Sequence, residues 1–256
     1  MLADTPEVAR VAAMISAASR VTVLTGAGVS TDSGIPDFRG PNGVWTVNPA
    51  AQQLSTLDRY VSDPEVRKQA WRNRRAHVAW TATPNAGHRA IVALQHAGRL
   101  RALITQNVDG LHQRAGTDPA LVIEVHGTIW DAECLDCGDR TRMHTVLARV
   151  AAGEEDPRCF HCGGLVKSAT ISFGQALRPQ VWRAAVDAAA DCDLFLAVGT
   201  SLQVQPVASL CDLALSVGAR LVVVNAEPTP YDRRADGVLR DSISTVLPAL
   251  VATVAA

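Results

Sequence analysis

The sequence predicts an α/β fold with a mainly parallel sheet and a small inserted module. Short apolar runs, mostly β-branched, predict buried strands at 21–25, 103–105, 121–125, 194–198 and 221–224. Segments of helical periodicity separate several of these strands, notably at 84–97 and 204–217. Continuous apolar strands that alternate with helices are typical of a parallel sheet covered on both faces. Ligands of such a sheet are expected at the carboxyl ends of its strands.

The helices carry their own start and stop signals. A first helix is predicted from Pro6 to Ser19, because Thr5 can cap it and apolar residues recur at 8, 11, 15 and 18. Thr83 precedes the helix predicted at 84–97, and Gly218 follows the one predicted at 204–217. The first helix leads directly into strand 21–25, as expected for consecutive units of an α/β fold.

Two stretches do not fit this alternation. Residues 26–57 are rich in Gly, Pro, Asn, Asp and Ser with little periodicity, and a loop of this length inside a compact domain is usually functional. Residues 130–168 carry four of the six cysteines and interrupt the sheet pattern. We interpret them as a small inserted module.

Composition argues against two classes of function. The 256 residues include 24 Lys plus Arg and 25 Asp plus Glu, a net charge of −1 that disfavours nucleic-acid or anionic-lipid binding. No apolar run approaches the roughly 18 residues that span a bilayer, and the first residues lack the profile of a secretory signal. We therefore expect a cytoplasmic protein with no membrane partner, in which cysteines are metal ligands or core thiols rather than disulfides.

Four cysteines predict a metal site. They form two Cys-x-x-Cys pairs, each followed by glycine: Cys134, Cys137, Cys159 and Cys162. Two intervening residues let one turn offer both thiolates to the same ion, and four thiolates make a closed shell for one structural zinc ion. The alternative is two redox pairs or disulfides. With this site, we predict a Rossmann-like domain formed by residues 1–129 and 169–256, and a zinc-binding module at 130–168.

The other thiols and the histidine between the last two cysteines have simpler interpretations. Cys192 and Cys211 stand alone in apolar contexts, so we expect buried core thiols. His161 lies within a knuckle whose four ligands are already present, so we expect it to face solvent.

A glycine turn follows the first predicted strand. Gly26-Ala27-Gly28 would let backbone N–H groups approach a pyrophosphate. The third glycine of a dehydrogenase fingerprint is absent, since Thr31 stands there, and no acidic residue closes a second strand about 20 positions later. The motif therefore does not support hydride transfer, and by itself it leaves open a nucleotide site or a tight turn without ligand.

Separated motifs together resemble the sirtuins, the NAD-dependent protein lysine deacylases. The resemblance runs from about residue 21 to the end of the chain. Besides the paired cysteines, its motifs in family order are Gly26–Ser30 (GAGVS), Gly34–Gly40 (GIPDFRG), Pro84–His88 (PNAGH), Thr105–Asp109 (TQNVD), Leu111-His112, Glu124–Gly127 (EVHG), Ser172–Gly174 (SFG), Gly199–Ser201 (GTS) and Val224-Asn225.

The resemblance implies a reaction and a catalytic set. The acyl group of a modified lysine in a protein substrate would pass to the ADP-ribose part of NAD, with release of nicotinamide and O-acyl-ADP-ribose. His126 matches the general base, a role that suits a neutral imidazole, and Asn107 and Asp109 match residues that orient the ribose and the nicotinamide amide. The simpler alternatives are a satisfied histidine at a strand end and an Asx turn in Asn-Val-Asp-Gly.

The resemblance also implies the cofactor contacts. Phe38 corresponds to an aromatic lid over the nicotinamide pocket and Arg39 to a cation near the phosphates, while residues after two later strands correspond to contacts with the adenosine half. The full set is Gly26, Ala27, Gly28, Ser30, Thr31, Pro36, Asp37, Phe38, Arg39, Trp45, Gln106, Asn107, Asp109, Gly199, Thr200, Ser201, Asn225, Glu227 and Ile243.

A substrate peptide is expected to add as a strand between two segments. One contains Ser172, Phe173 and Gly174, and the other lies around Val204. Many family members have glutamate where this chain has Gln175, so the preference for charge in the peptide is open.

The acyl group is not decided by the sequence. A succinyl- and malonyl-removing subset has a tyrosine and an arginine whose positions, counted back from Pro84, fall on Arg72 and Arg75. The alternative is that these arginines lie on a solvated helix face. The segment 34–45 instead resembles the long-chain-active branch. We take deacetylation as the default, with desuccinylase, demalonylase, long-chain deacylase, mono-ADP-ribosyltransferase, NAD hydrolase or a non-enzymatic NAD sensor as alternatives. The oligomeric state is open, and a monomer is compatible with the sequence.

Overall fold

A computed structural model describes residues 5–49, 56–252 and 254 and contains two sheets within them. The larger sheet has six parallel strands in the order β3-β2-β1-β7-β8-β9, and the smaller has three antiparallel strands in the order β5-β4-β6. The strands are β1 (Val21–Thr25), β2 (Leu100–Thr105), β3 (Val122–Glu124), β4 (Gly127–Cys134), β5 (Arg140–Arg142), β6 (Val166–Thr170), β7 (Leu194–Val198), β8 (Arg220–Val224) and β9 (Gly237–Leu239).

The predicted fold class is confirmed. The sheet starts at β1. The chain then adds β2 and β3 on one side and returns to add β7, β8 and β9 on the other, which is the strand order of a doubly wound sheet. The order reverses between β1 and β7, which pair in parallel from Val21↔Leu194 to Thr25↔Val198. A crevice is therefore expected beyond the carboxyl ends of these two strands.

The described residues contain α-helices that cover both faces of the larger sheet and others that lie outside it. They are α1 (Pro6–Ala17), α2 (Val44–Val47), α3 (Leu57–Ser62), α4 (Pro64–Arg75), α5 (Ala86–His96), α6 (Leu111–Ala115), α7 (Met143–Ala151), α8 (Pro179–Ala190), α9 (Leu210–Ser216) and α10 (Ile243–Val251). One core cluster packs α1, α5 and α10 against the sheet, and a second packs α8 and α9 against the opposite face. Burial on both faces explains why the strands are apolar at nearly every position.

Most predicted strands are confirmed with small changes in their bounds. The predictions at 21–25 and 194–198 match β1 and β7, while β2 and β8 begin earlier than predicted. The strand predicted at 121–125 is shorter, because Pro119–Leu121 form a 3₁₀ turn before β3. The three-residue edge strand β9 was not predicted, since so short a segment shows no periodicity.

Three helix predictions need correction. The first helix is capped by Thr5, whose Oγ1 accepts from the Val8 N–H at 3.2 Å, but it ends at Ala17 rather than Ser19. The cap of α5 is Asn85, not Thr83: its Oδ1 accepts from the N–H groups of Gly87 and His88. Helical structure predicted from 204 begins only at Val207–Ser209 and α9, because Pro206 disfavours helix at the residue before it.

The loop at 26–57 is more ordered than its composition predicts. A 3₁₀ helix runs from Ala27 to Ser33 and α2 lies further along, while residues 50–55 are outside the described part. In the described residues, no helix is long and apolar enough to cross a membrane.

The inserted segment forms the smaller sheet and α7. Its strands run from Gly127 to Thr170, slightly beyond the 130–168 expected, and a small core joins β4, β6 and α7 with Trp71 of α4. The domain bounds stay a prediction.

Candidate functional site

A cavity of about 1870 Å³ opens where the strand order reverses. Residues that follow β1, β2, β7 and β8 form one wall, and residues of α4 and β6 contribute to the other. The predicted cofactor residues line it without exception, as do His126, Ser172, Phe173, Gly174 and Val204. The structure therefore brings these residues together at one cavity, and their individual roles stay predictions.

The glycine turn after β1 is pressed against the turn after β7. The Gly28 N–H donates to the Gly199 carbonyl at 2.9 Å, and the φ of Gly199 is 60°. A Cβ at Gly28 would lie 2.8 Å from the Gly199 Cα. Only glycine permits this approach, and it leaves backbone atoms rather than side chains at the bottom of the cavity.

A buried polar cluster joins the turn after β1 to the turn after β2. The Ser30 Oγ donates to the Asp109 carboxylate at 2.8 Å, and the Asn107 Nδ2 donates to the Ser30 Oγ at 3.2 Å and to the Gly26 carbonyl at 3.1 Å. Burial raises the pKa of Asp109, while the Leu111 N–H and Ser30 oppose this rise by donating to the carboxylate. The Leu111 bond is an Asx contact, so that alternative describes part of the same segment.

His126 lies just before β4 and is half-buried. Its Nδ1 is 3.1 Å from the Gln106 carbonyl, which can only accept, so Nδ1 carries the hydrogen in this bond. Nε2 is then the basic nitrogen. Burial lowers the pKa of His126, which keeps the imidazole neutral near pH 7. The Ile171 N–H donates to the His126 carbonyl at 2.8 Å and holds its backbone against β6.

Aromatic side chains from two loops meet at the cavity. The Phe38 and Trp45 ring centroids are 4.7 Å apart, and those of Trp45 and Phe173 are 5.4 Å apart. The Arg39 guanidinium lies 4.7 Å from the Trp45 ring centroid, and burial lowers the pKa of Arg39. The Asp37 carboxylate accepts from the Gly40 N–H at 2.9 Å and stabilises the turn that carries Phe38 and Arg39.

The far end of the cavity follows β7 and β8. The Gln106 Nε2 donates to the Thr200 Oγ1 at 2.9 Å, and the Asn225 Nδ2 donates to the Glu227 carbonyl at 2.8 Å. The sequence interpretation missed Arg240, which lines the cavity here and donates to the Asn225 carbonyl at 2.9 Å and to the Glu227 carbonyl at 2.6 Å.

The assignment of Arg72 and Arg75 to substrate contacts is not supported by their positions. Both are exposed and lie outside the cavity lining, and Arg72 is 3.6 Å from the Glu155 carboxylate, as the solvated-face alternative expects. Arg74 lines the cavity instead, because it shares the inward face of α4 with Trp71, three residues earlier. The signal that could have identified Arg74 is the large apolar side chain of Trp71, which stands three positions earlier and therefore on the same helix face.

Two cations at this wall, the half-buried Arg74 and the buried Lys167, have neutral hydrogen-bond acceptors. The Arg74 Nη2 donates to the Ser168 Oγ at 2.9 Å, and burial lowers the pKa of Arg74 to about 10. The Lys167 Nζ donates to the carbonyls of Ser168 and Thr170, and burial lowers the pKa of Lys167 to about 8. Lys167 lies on a strand that the sequence interpretation did not predict, so no pattern identified it.

The four paired cysteines converge at one point in the smaller domain. Their Sγ atoms all lie within 4.8 Å of one another, with Cys134 and Cys162 at 3.5 Å and Cys137 and Cys159 at 3.7 Å. A disulfide would need about 2.05 Å, whereas a tetrahedral zinc site with Zn–S of about 2.3 Å separates its sulfurs by about 3.8 Å. The cluster fits one structural zinc ion and does not fit the disulfide alternative.

The remaining expectations for this group are confirmed. Gly138 and Gly163 have φ values of 73° and 74°, as the knuckle turns require. The side chain of His161 is 73% exposed. Cys192 and Cys211 are buried, and burial raises the pKa of Cys192 to about 11 and that of Cys211 to about 12.

Comparisons with known proteins agree with this geometry. The model of the Sir2 family matches residues 26–206. NAD-dependent protein deacetylase 2 of Streptomyces coelicolor is 54% identical over 231 residues, which cover 90% of this chain and 96% of that protein. A solved structure from work on the structural basis for the mechanism and regulation of Sir2 enzymes is also similar. Its TM-score is 0.87 at 35% identity, and 97% of each chain is covered. A solved complex of Sir2, a p53 peptide and NAD+ has a TM-score of 0.84 at 30% identity and covers 94% of this chain and 95% of that one.

Proposed function

The chain belongs to the Sir2 family, and from that premise we propose that it is an NAD-dependent protein lysine deacylase with deacetylation as its default activity. The observation that carries the proposal is the meeting of the neutral His126 imidazole with the Ser30–Asn107–Asp109 cluster in one cavity between the two sheets. The acyl group passes from lysine to ADP-ribose with consumption of one water molecule, and the products are free lysine, nicotinamide and O-acyl-ADP-ribose.

His126 acts as the general base in this proposal. When bound, NAD supplies an electrophilic ribose carbon and a nicotinamide leaving group. The Gln106 carbonyl holds the proton on Nδ1, so Nε2 is available to take a proton from a ribose hydroxyl. The lowered pKa of His126 keeps Nε2 unprotonated near neutral pH.

Asn107 and Asp109 orient the cofactor. Ser30 and the Gly26 carbonyl fix the Asn107 amide, and the Leu111 N–H and Ser30 fix the Asp109 carboxylate. A fixed amide and a fixed carboxylate present donors and acceptors to the ribose hydroxyls and the nicotinamide amide. Preorganisation of this kind reduces the entropy that must be lost when the reacting groups are aligned.

The other contacts divide the cavity into regions. The turn at Gly26–Ser30 and Arg39 hold the pyrophosphate, and the Phe38–Trp45 aromatic pair covers the nicotinamide end and excludes water. Gly199–Ser201, Asn225, Glu227 and Ile243 hold the adenosine half. The substrate peptide adds between Ser172–Gly174 and Val204.

The substrates are proteins with acylated lysine. The solved Sir2 complex with both a peptide and NAD+ supports a shared site for the two, and another solved structure is described as Sir2Tm bound to a propionylated peptide. The four thiolates of the smaller domain would hold zinc in a closed shell, which stabilises the fold rather than supplying chemistry. A cytoplasmic location stays a prediction.

The test uses the full chain with NAD and a panel of acetyl-, succinyl- and long-chain-acyl-lysine peptides, read by mass spectrometry. We expect loss of the acetyl group with nicotinamide and O-acetyl-ADP-ribose formed in equal amounts. Samples without NAD, and the His126→Ala variant, serve as controls. Protein that gains ADP-ribose, or NAD hydrolysed while every peptide stays intact, would replace deacylation with transferase or hydrolase activity.

A further inference from the structure

We propose that Trp130 is a positioning residue that holds the Asp109 segment in its cofactor-binding conformation. The inference rests on the proposed function, because it concerns how one of the cofactor-orienting residues is placed. Trp130 lies in the middle of β4, and it does not line the cavity.

The first observation is a pair of hydrogen bonds from β4 to the turn after β2. The Trp130 Nε1–H donates to the Asp109 carbonyl at 2.8 Å, and the Ile129 N–H donates to the Val108 carbonyl at 3.0 Å. Two consecutive carbonyls of this turn are therefore held by β4, while Ser30 holds the Asp109 carboxylate on its other side. The residue is fixed at both its backbone and its side chain.

The second observation is the close approach of the indole to Gly110. The φ of Gly110 is 70°, and a Cβ added there would lie 2.5 Å from the Trp130 Nε1. Glycine is thus needed both for the backbone conformation and for the space the indole occupies. The Trp130 indole can therefore occupy this position only because residue 110 has no side chain.

The third observation is that the indole itself is held in place. Trp80 packs its ring against Trp130 in an edge-to-face arrangement, with centroids 5.2 Å apart and an interplanar angle of 81°. The Arg114 guanidinium lies 6.0 Å from the Trp130 ring centroid and donates to the Ala82 carbonyl at 2.7 Å. These contacts orient the N–H toward the Asp109 carbonyl.

Strand β4 also positions the general base and one thiol of the cysteine cluster. His126 lies immediately before the strand, and the strand ends at Cys134, one of the cluster thiols. Through Trp130, the strand that places the general base also places the turn that orients the cofactor. Loss of the indole N–H should therefore weaken the use of NAD more than the use of peptide.

The experiment compares Trp130→Phe with Tyr231→Phe in the full zinc-loaded chain. Both changes leave a phenylalanine ring and remove one side-chain hydrogen-bond donor, but the Tyr231 hydroxyl donates to the Asp212 carboxylate at 2.6 Å, and Tyr231 does not line the cavity. We measure KM for NAD, KM for acetyl peptide, kcat, zinc content and melting temperature. If Trp130→Phe does not fold, Trp130→Met repeats the test, since methionine fills apolar space and has no hydrogen-bond donor.

We expect the KM for NAD to rise about two- to tenfold in Trp130→Phe, the range that loss of one hydrogen bond gives. The KM for peptide and the zinc content should not change, and Tyr231→Phe should keep the wild-type KM for NAD. An unchanged KM for NAD in Trp130→Phe overturns the inference, as does an equal rise in Tyr231→Phe or in both KM values with loss of zinc. Failure of the proposed function is a distinct result, because the wild-type chain would then show no NAD-dependent deacylation.

Discussion

Replacing Ser30 by alanine tests the electrostatics of the buried cluster directly. The Ser30 Oγ donates to the Asp109 carboxylate at 2.8 Å, and Ser30 and Asp109 are only 1% and 5% exposed, so water does not readily replace the lost donor. A hydrogen bond to a charged group contributes about 1.5–3 kcal/mol. Ser30→Ala should therefore destabilise the ionised form of Asp109 by about this free energy, and the pKa of Asp109 should rise.

Removal of the Ser30 donor raises the pKa of Asp109 because the donated hydrogen bond stabilises the ionised carboxylate. Burial already raises this pKa, and the loss of the donor adds to that rise. A protonated Asp109 loses an acceptor for the nicotinamide amide. The affinity for NAD should therefore begin to fall at a higher pH in the variant as the solution is acidified.

Calorimetric titration of NAD from pH 4 to 7 measures this midpoint. Both Ser30 forms are studied in a His126→Ala background, because the titration of the imidazole would otherwise overlap with that of Asp109. Ser216→Ala in the same background is the matched control, since its exposed Oγ donates to the Leu213 carbonyl. The same midpoint in Ser30→Ala and in Ser216→Ala would refute the assigned role of the Ser30–Asp109 hydrogen bond.

The other predictions concern the base, the metal and the crossing of the turns. His126→Ala should abolish turnover while calorimetry still detects NAD binding, and activity near wild type would contradict its role as the base. Cys137→Ser should release zinc and lower the melting temperature, because metal binding contributes folding free energy; a variant that keeps one zinc per chain would contradict the four-thiolate site. Gly34→Ala should lower the free energy of unfolding by about 1–2 kcal/mol, because residue 34 has a left-handed backbone, although nothing lies within 4 Å of a Cβ added there. Gly199→Ala should lower it clearly more, because a Cβ at residue 199 would lie 2.4 Å from the Val29 nitrogen. Equal losses of thermal stability in these two variants would show that the contact between the turns is not tight.

Residues near strand ends were the most predictable part of the site. Gly26, Asn107 and Gly199 each follow an apolar run, and parallel strands bring such positions to one edge of the sheet. The four cysteines were equally predictable, because two Cys-x-x-Cys pairs are typical of a structural zinc site. In these cases a local pattern was enough.

Helix α4 shows where local reasoning failed. Counting positions back from Pro84 pointed to Arg72 and Arg75, but the helix presents Trp71 and Arg74 to the interior. Several arginines close together in the sequence do not show which face of the helix points to the interior. That orientation is set by the packing of α4 against β4, β6 and α7, which lie far along the chain.

The sequence by itself determined most strands of the larger sheet and the chemistry available to this protein. Continuous apolar runs specified the parallel sheet, glycines specified the tight turns, and Cys-x-x-Cys pairs specified the metal ligands, because each of these depends on neighbours within a few residues. Only the tertiary structure decided which groups face one another: Ser30 against Asp109, Arg74 against Ser168, and Trp130 against Gly110. These contacts join residues from 20 to 94 positions apart, and their energies exist only once the sheets have packed.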